Sequence, residues 1–374
     1  MTIADQRPRQ TRREFLRTGA SAVGVAAFLA ACAKKGISAV PPGGLQPPEA
    51  KIDGDLSYFN WAQYLDPALI KSFEQEYSVT VNQSNFHNMA GMLAKLRAGV
   101  SYDIIWPEAF VVRPLIESNL LLPIDHSQIS GFKDVIPFFQ DPWYDAQSAH
   151  TAPYAYWTTG IAWRQDLLGD LTSSWNDLWT TPSANGNITL LDDMREAIGM
   201  SLLRQGHDMN STDPAQLSAA TDALLQLRPN LRQITADDIP TIRGGNATMV
   251  HAWSGDVYVA LTTMNDPTGW QYQVATDGVV VGSDTMAIPA NAQHPGTAML
   301  FIDWMLRPEH VAQNIDYFGY PMGTTTGEDA FANLVKDFPW LQVSADALST
   351  GNQIHDLPPA DLQTWTANWA KVKA

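Results

Sequence analysis

The sequence predicts an α/β fold with a largely parallel sheet. Segments with strand character alternate along the chain with segments whose apolar residues recur at spacings of three and four, as in helices with one buried face. The short continuous apolar run at 103–107 is typical of a strand buried on both faces. Hydrophobic residues make up 45% of the chain and aromatic residues 10%, which is enough for packed cores. This alternation favours a parallel sheet covered by helices.

The N-terminal segment predicts export. Residues 12–16 contain paired arginines followed by Phe and Leu, and they resemble a twin-arginine export signal. A short run of apolar and small residues follows, and 29–32 resembles a bacterial lipobox that ends in Cys32. We therefore expect residues 1–31 to be a signal peptide and Cys32 to be the lipidation site.

A transmembrane anchor or a disordered basic tail is the alternative for this segment. The uncharged run at 18–33 is shorter than the about 20 apolar residues that a spanning helix needs. Lipidation also gives a role to Cys32, the one cysteine of the chain. Two lipid chains on Cys32 would hold the exported protein stably at a membrane surface. We therefore expect a lipid-anchored protein in the periplasm or at the outer face of the cell membrane.

The folded body is expected to begin near Ile52, because the preceding residues 33–51 are rich in Gly and Pro. Such a segment does not pack a core. We therefore expect residues 32–51 to comprise the lipidated cysteine and a flexible tether.

The first half of the body alternates strands and helices. Strand character at 56–61 precedes Asp66 and Pro67, which are typical of an N-cap and the first helical position. Further strands are predicted at 79–81 and 103–106, with a second helix between them. The apolar faces of the two helices are Ile70, Phe73 and Tyr77, and Met89, Met92, Leu93 and Leu96.

The second half continues the alternation. Strands are predicted at 187–192, 247–253 and 285–289. Asp213, followed by proline, is expected to cap a helix after the first of these strands. The helix after 285–289 has Met299, Ile302 and Leu306 on one side, and the last helix buries Leu362, Trp365, Trp369 and Val372.

The charge of the chain bears on its partners. The formal net charge is −16, and residues 1–31 carry more arginines than acids, so the mature chain is more negative still. Such a chain repels phosphate backbones, which argues against nucleic acid as a partner. It favours cationic solutes, and its 13 tryptophans could supply flat aromatic walls for them.

The sequence does not indicate an enzyme. It contains no nucleophile elbow, no phosphate-binding loop and no His-Glu-x-x-His motif. Its eight histidines are scattered without metal-ligand spacing. The pair Asp192 and Asp193 could in principle do acid–base work, but nothing else supports catalysis. We expect no catalytic residue, no metal and no cofactor.

Aromatic rings and carboxylates follow the predicted strands. Open α/β sheets bind ligands at the carboxyl ends of their strands. Carboxylates bind ammonium groups and rings enclose methylenes, so this combination suits a flexible organic cation. The residues at these positions are Trp61, Tyr64, Glu108, Phe110, Asp192, Asp193, Arg195, Glu196, Trp253 and Asp256, with Asp284 just before the strand at 285–289.

Each candidate also has a purely structural interpretation. Asp193 and Glu196 could cap a helix, and Arg195 could be their internal counter-ion. Trp61 and Trp253 could fill the core.

Four segments carry a resemblance to a known family. The segments 60–64, 191–196, 286–292 and 319–321 appear in the order typical of the spermidine/putrescine-binding proteins of bacterial ABC importers, and the similarity extends over nearly all of 55–374.

The resemblance implies a two-lobe periplasmic-binding-protein fold of type II-like form, with a mostly parallel sheet in each lobe and a hinge between them. Ligand would close the cleft, and the membrane permease would recognise the closed state. The implied lobes are 52–154 with 284–320, and 157–282 with 322–374. The chain would cross between them near 153–157, 282–284 and 320–321.

The resemblance also implies ligand-binding residues. Trp61 and Tyr64 match first-lobe aromatic positions, and Trp253 matches an aromatic wall. Asp193 and Glu196 match carboxylates that receive a terminal amine. In addition, Asp284 matches the carboxylate for an inner amine, and Gln353 matches a polar contact near the C-terminus.

The sequence departs from the family pattern at three positions. Glu108 and Phe110 stand where the family often has Ser and Tyr, and Gly282 stands where it has Trp. Glu108 could add a carboxylate or point away from the cleft. Loss of the tryptophan removes one aromatic wall, which Tyr156 or Trp157 could replace.

We therefore expect the substrate-binding component of an ABC importer for a polyamine-like cation such as spermidine or putrescine, acting as a monomer. The same role for another small nitrogenous solute, amino-acid-like or quaternary ammonium, is the first alternative. A secreted hydrolase or a surface protein that only binds a partner is more remote.

Overall fold

A computed structural model describes residues 44–341 and 345–374. The predicted signal peptide 1–31, Cys32 and the first part of the tether lie outside these residues. The tether residues 44–51 form neither helix nor strand, yet their end lies against the body: the Ala50 amide donates to Gln128 Oε1 at 2.6 Å. Within the described part of the chain, no helix has the length and apolar character needed to cross a membrane.

Within the described residues, ten strands form one mixed sheet. They are β1 Leu56–Trp61, β2 Val81–Phe86, β3 Ile104–Ile105, β4 Thr151–Arg164, β5 Ile188–Leu190, β6 Leu231–Ile234, β7 Met249–Trp253, β8 Trp270–Gln273, β9 Val280–Ala287 and β10 Asn352–Gln353.

Helices cover the sheet. They are α1 Pro67–Tyr77, α2 Met89–Arg97, α3 Ala109–Glu117, α4 Pro137–Gln140, α5 Gln165–Leu168, α6 Asp177–Thr180, α7 Met194–Leu203, α8 Pro214–Leu227, α9 Asp238–Arg243, α10 Ser254–Thr263, α11 Pro295–Met305, α12 Pro308–Phe318, α13 Thr325–Asp337, α14 Ala345–Thr350 and α15 Pro359–Lys373.

The strand order is β2-β1-β3-β9-β4-β7-β5-β6, with β8 beside β4 and β10 beside β9. The groups β2-β1-β3 and β7-β5-β6 are each parallel, as the alternation of strands and helices predicts. Between them lie the long strands β4 and β9, which run antiparallel to each other. The α/β class is therefore confirmed, and the sheet is parallel at its two ends and antiparallel in its middle.

Local sequence signals, such as N-cap residues and apolar stripes, predict these helices correctly. The side chain of Asp66 accepts from the Ala68 amide, and that of Asp213 accepts from the first-turn amides of α8, so both predicted N-caps are confirmed. In α15 the predicted apolar stripe is buried, including Trp365 and Val372.

Strand boundaries differ more from the prediction. β2 starts at Val81, where the strand at 79–81 was expected to end, and β3 has only two residues. Asp284 lies inside β9, which begins at Val280, because the valines at 279–281 extend the strand alongside β4. The strand β4 has no polar alternation, because all but its last residue are buried.

The three segments where the chain is predicted to cross between lobes lie side by side. Ala155 pairs with Asp284, and Trp157 pairs with Gly282, across β4 and β9. On another edge of β4, the Tyr156 amide donates to the Pro321 carbonyl at 3.1 Å. The segments 153–157, 282–284 and 320–321 are thus bonded neighbours in the middle of the molecule.

Apolar cores pack against both parallel groups. Under β2-β1-β3, Phe73 of α1 contacts Phe301 of α11 edge-on, with ring centroids 4.9 Å apart. Under β7-β5-β6, Trp175 and Trp365 are fully buried in a second core. Burying a large apolar side chain contributes roughly 1.5–3 kcal/mol. Each end of the sheet therefore has its own hydrophobic support, and the site lies between them.

Candidate functional site

A cleft opens where β1, β7 and the crossing strands β4 and β9 meet. Its empty volume is about 780 Å³, a figure that includes open solvent at the mouth. Its walls are unusual in combining rings with acids. The aromatic lining residues are Trp61, Tyr64, Phe86, Trp157, Trp253 and Tyr320, and the acidic ones are Glu108, Asp237, Asp238, Asp256 and Asp284.

The aromatic walls come from both ends of the sheet. Trp61 ends β1 and Trp253 ends β7, and their ring centroids are 6.3 Å apart. Tyr64, in the loop after β1, lies 5.4 Å from the ring of Tyr320. These rings line the space between the two parallel groups, where they could contact the methylenes of an extended ligand.

Glu108 and Asp284 lie side by side in the cleft. They face each other across an antiparallel bridge, so their side chains are direct cross-strand neighbours. Glu108 is 5% exposed and Asp284 is 2% exposed. Asp284 Oδ1 has no hydrogen-bond partner among the described residues. Burial raises the pKa of Asp284 to about 8, and the Tyr64 hydroxyl and the Trp61 indole N–H, which favour the ionised form, only partly oppose this rise.

A second acidic pair, Asp238 and Asp256, also lines the cleft. The Tyr320 hydroxyl donates to Asp256 Oδ1 at 2.5 Å, and Asp238 Oδ2 accepts from the Trp253 amide at 3.3 Å. Burial, and then repulsion by Asp256, raises the pKa of Asp238 well above its usual range. Burial also raises the pKa of Asp256. This pair, like the first, favours a bound cation.

Glu196 lies directly behind the Trp253 wall. Its Oε1 accepts from Trp253 Nε1 at 3.0 Å and from the Thr159 hydroxyl at 2.9 Å. Burial, reinforced by the charge of Asp193, raises the pKa of Glu196 to about 7. Glu196 thus orients the tryptophan ring rather than lining the cleft in this conformation.

Asp193 caps helix α7, as its structural interpretation predicts. Its Oδ1 accepts from the amides of Arg195 and Glu196 at 2.7 and 3.0 Å. Arg195 is buried, and its guanidinium lies 4.5 Å from the ring centre of Trp365 and 5.8 Å from that of Phe110.

Phe110 and Gln353 are not among the residues that line the cleft. Phe110 packs beside Arg195, while Gln353 lies in β10, where its Oε1 accepts from Trp143 Nε1 at 2.7 Å. The structure therefore brings Trp61, Tyr64, Glu108, Trp253 and Asp284 together in the cleft. Glu196 does not line the cleft but is hydrogen-bonded to Trp253, which does. Asp193, Phe110 and Gln353 do not line the cleft in this conformation.

Trp157 occupies the space that Gly282 leaves free. A Cβ atom at position 282 would lie 2.3 Å from Trp157 Cζ2, far inside normal contact distance. Trp157 is 5% exposed and lines the cleft, and its Nε1 has no hydrogen-bond partner within the described residues. The ring and the glycine face each other across β4 and β9, so the two residues form one structural unit.

Sequence reasoning missed Asp238. This residue begins α9, four positions beyond the end of a strand, β6, that the sequence pattern does not suggest. The signal was the run Ala236-Asp237-Asp238, which follows that strand at the same sheet edge as the other acids. Across the described ranges, no group of three or more His, Cys, Asp and Glu side chains could hold a metal ion.

Comparisons with known proteins place this geometry in context. Residues 68–338 match the family described as bacterial extracellular solute-binding protein. The spermidine/putrescine-binding periplasmic protein of Salmonella typhimurium is 27% identical over 88% of this chain and 95% of its own length. The putrescine/cadaverine-binding protein of Pseudomonas aeruginosa is 28% identical over 85% of this chain and 93% of its own.

Solved structures share the fold. The spermidine/putrescine ABC transporter substrate-binding protein PotD from Streptococcus pneumoniae is similar with a TM-score of 0.71 and 26% identity, covering 86% of this chain and 99% of that one. A protein structure from Listeria monocytogenes has a TM-score of 0.80 and 29% identity, over 86% of this chain and 99% of its own.

Proposed function

Because the chain belongs to the family of bacterial extracellular solute-binding proteins and has their two-lobe fold, we propose that it captures a polyamine-like organic cation and delivers it to the membrane subunits of an ABC importer. The observation that carries this proposal is a cleft lined by both buried carboxylates and aromatic rings. Relatives named for binding spermidine and putrescine support it. Binding and release suffice for this role, without covalent chemistry.

The two acidic pairs suit a ligand with separated positive charges. One ammonium group would lie at Glu108 and Asp284, and another near Asp238 and Asp256. The rings of Trp61 and Trp253 would cover the methylenes between these groups and attract their charge. Neutral ligands would leave the buried carboxylates without a counter-ion, which costs binding free energy.

Hinge closure is the proposed working motion. Lobe 1 would be 52–154 with 284–320, and lobe 2 would be 157–282 with 322–374. The crossing segments lie beside one another in the middle of the sheet, so a small bend there could move one parallel group relative to the other. Ligand that contacts both lobes would favour the closed state.

Export and anchoring are part of the proposal. The family is extracellular by description. Residues 1–31 would direct export, Cys32 would carry the lipid, and the Gly- and Pro-rich residues up to 51 would tether the body to the membrane. The body would act as a monomer.

Another small nitrogenous solute remains the second candidate for the ligand. The observation that favours it is that Trp157 fills the space beside Gly282, where the family pattern has a tryptophan at position 282 itself. This difference changes the shape of one wall. A bulkier or differently branched cation could use such a wall.

Thermal unfolding of the purified protein against a panel of solutes tests the proposal. The panel comprises putrescine, cadaverine, spermidine, spermine, γ-aminobutyrate, choline and common amino acids. A ligand that binds only the folded state stabilises it by about 2.7 kcal/mol at a hundredfold excess over its dissociation constant. We expect a clear rise in Tm with at least one polyamine. A rise only with a non-polyamine would favour the second candidate, and no rise with any solute would contradict both.

A further inference from the structure

The family resemblance implies one carboxylate, Asp284, for an inner amine of the ligand. The structure places a second carboxyl group, that of Glu108, directly opposite it. We propose that Glu108 joins Asp284 in a two-carboxylate subsite that holds one ammonium group of the ligand, and that filling this subsite expels a proton that one of the two carboxyl groups carries in the empty cleft. This inference rests on the proposed function and adds to it the charge of the ligand group and a proton-coupled binding step.

The backbone forces the two carboxyl groups together. Glu108 follows β3 and Asp284 lies within β9, and these segments run antiparallel. The Thr285 amide donates to the Pro107 carbonyl at 3.0 Å, next to the bridge, which fixes the register. Like charges placed directly opposite each other on neighbouring strands repel. The pair is therefore unfavourable with both groups ionised unless a cation lies between them.

Burial removes the solvent that would screen this repulsion. Both side chains are at least nine-tenths buried, both line the cleft, and Asp284 Oδ1 has no hydrogen-bond partner among the described residues. Asp284 thus lines the cleft with an oxygen that lacks such a partner, and a carboxylate oxygen without a partner is the kind of acceptor that an ammonium group needs. Burial and carboxylate neighbours also raise the pKa of Glu108 well above its usual range.

The surrounding groups do not neutralise the pair. Asp193 and Glu196 add negative charge near Glu108, and Arg195 alone opposes them. The guanidinium of Arg195 is held elsewhere, with Nη2 donating to Asn210 Oδ1 at 2.6 Å. Around Asp284 the packed groups are the neutral side chains of Trp61, Tyr64, Tyr144 and Tyr154. The subsite therefore lacks one positive charge, which the ligand would supply.

The proton balance follows directly. In the empty cleft one carboxyl group of the pair keeps its O–H bond. When an ammonium group enters, that O–H bond breaks, the proton passes to solvent, and both carboxylates accept hydrogen bonds from the ammonium N–H groups. The ligand keeps all of its own protons.

This subsite also selects the ligand class. A ligand group that displaces this proton and supplies the missing charge must carry a full positive charge. A carboxylate at that end of a ligand would be repelled by Glu108 and Asp284 at close range. The subsite therefore favours diamines and longer polyamines over amino acids of the same length.

Titration calorimetry tests the inference. The full protein is titrated with putrescine between about pH 7 and 8, where an alkylammonium group stays protonated as a lysine side chain does. The titration is repeated in buffers of different ionisation enthalpy, so that the variation in heat counts protons released. Glu108→Gln and Glu108→Ser are the test variants, and Glu117→Gln, an exposed glutamate on α3, is the matched control.

We expect wild type and the control to release protons on binding. Each Glu108 variant should release fewer, by up to about one proton per ligand. Both variants should also lose selectivity for putrescine over γ-aminobutyrate. Proton release and selectivity equal to wild type in either folded variant would overturn the inference, as would wild type binding putrescine without releasing any proton. Wild type that binds no polyamine would instead contradict the proposed function.

Discussion

At the residue scale, the distinctive feature of the cleft is its buried carboxyl groups. Asp284 is the clearest case, because it is buried in the middle of the sheet and one of its oxygens has no hydrogen-bond partner among the described residues. Its place in the molecule has no structural explanation in terms of capping or ion pairing, unlike that of Asp193.

Replacing Asp284 by Asn should weaken polyamine binding by roughly 2–4 kcal/mol, because it removes one member of a buried charge pair and leaves the ammonium group poorly matched. Calorimetric titration measures this change directly. Asp222→Asn, at an exposed position on α8, is the matched control and should bind as wild type does. Equal affinity in the Asp284 variant and the control would contradict the assignment of Asp284 to the cation site.

Sequence reasoning reached much of the cleft at this scale. Trp61, Tyr64 and Glu108 follow strands whose ends meet at one sheet edge, so their proximity could be anticipated. The side-chain directions could not, because they depend on packing across the cleft. Phe110 turns to Arg195, and Gln353 bonds to Trp143 instead.

At the scale of elements, the pairing of β4 with β9 decides the shape of one wall. The sequence shows that position 282 lacks a tryptophan, but only the register shows that Trp157 stands opposite it. Helices were easier to predict than these strands, because caps such as Asp66 and Asp213 are local signals. A fully buried strand such as β4 has no alternation to reveal it.

Exchanging the two residues tests this unit. Gly282→Trp alone should destabilise the protein, by about 1–3 kcal/mol or more, because a side chain at 282 collides with Trp157. Adding Trp157→Gly should restore much of the lost stability, since the second change frees the space. Chemical denaturation of wild type, both single variants and the double variant gives the coupling energy. Additive losses in the double variant would mean that the two positions do not share one space.

At the scale of the whole molecule, the buried acids link stability to pH. Asp284, Glu108 and Asp238 have raised pKa values in the folded state. In the unfolded chain the same groups have lost their protons well below neutral pH. The folded state therefore binds more protons than the unfolded state at neutral pH, and the free energy of unfolding falls as pH rises through the folded-state values.

The ligand-free protein should therefore have a lower Tm at pH 9 than at pH 7. Burial lowers the pKa of His251 to about 3, so this residue changes the free energy of unfolding only below the pKa of an unfolded histidine. It therefore does not contribute to the difference in Tm between pH 7 and pH 9. Saturating putrescine should reduce or reverse the fall, because the ligand favours ionised carboxylates. Scanning calorimetry at both pH values, with and without putrescine, measures the effect. A ligand-free Tm that stays constant or rises would contradict it.

The fold class was predictable at this scale, because strands and helices alternate throughout the chain. The antiparallel middle of the sheet was not, since it depends on pairing between residues more than a hundred positions apart, such as Trp157 and Gly282. The lobe boundaries and the hinge stay predictions, supported by the adjacency of the three crossing segments.

The strand order also has a consequence for biosynthesis. Strand β9 is inserted between β3 and β4, although it follows them in the chain by more than a hundred residues. During translation the N-terminal part of β4, at 151–158, therefore waits for its partner until residue 287 has been made. Until then the nascent chain presents open strand edges that could pair with other chains. A polypeptide that ends before β9 has all the strands of both parallel groups but lacks the strand that joins β3 to β4.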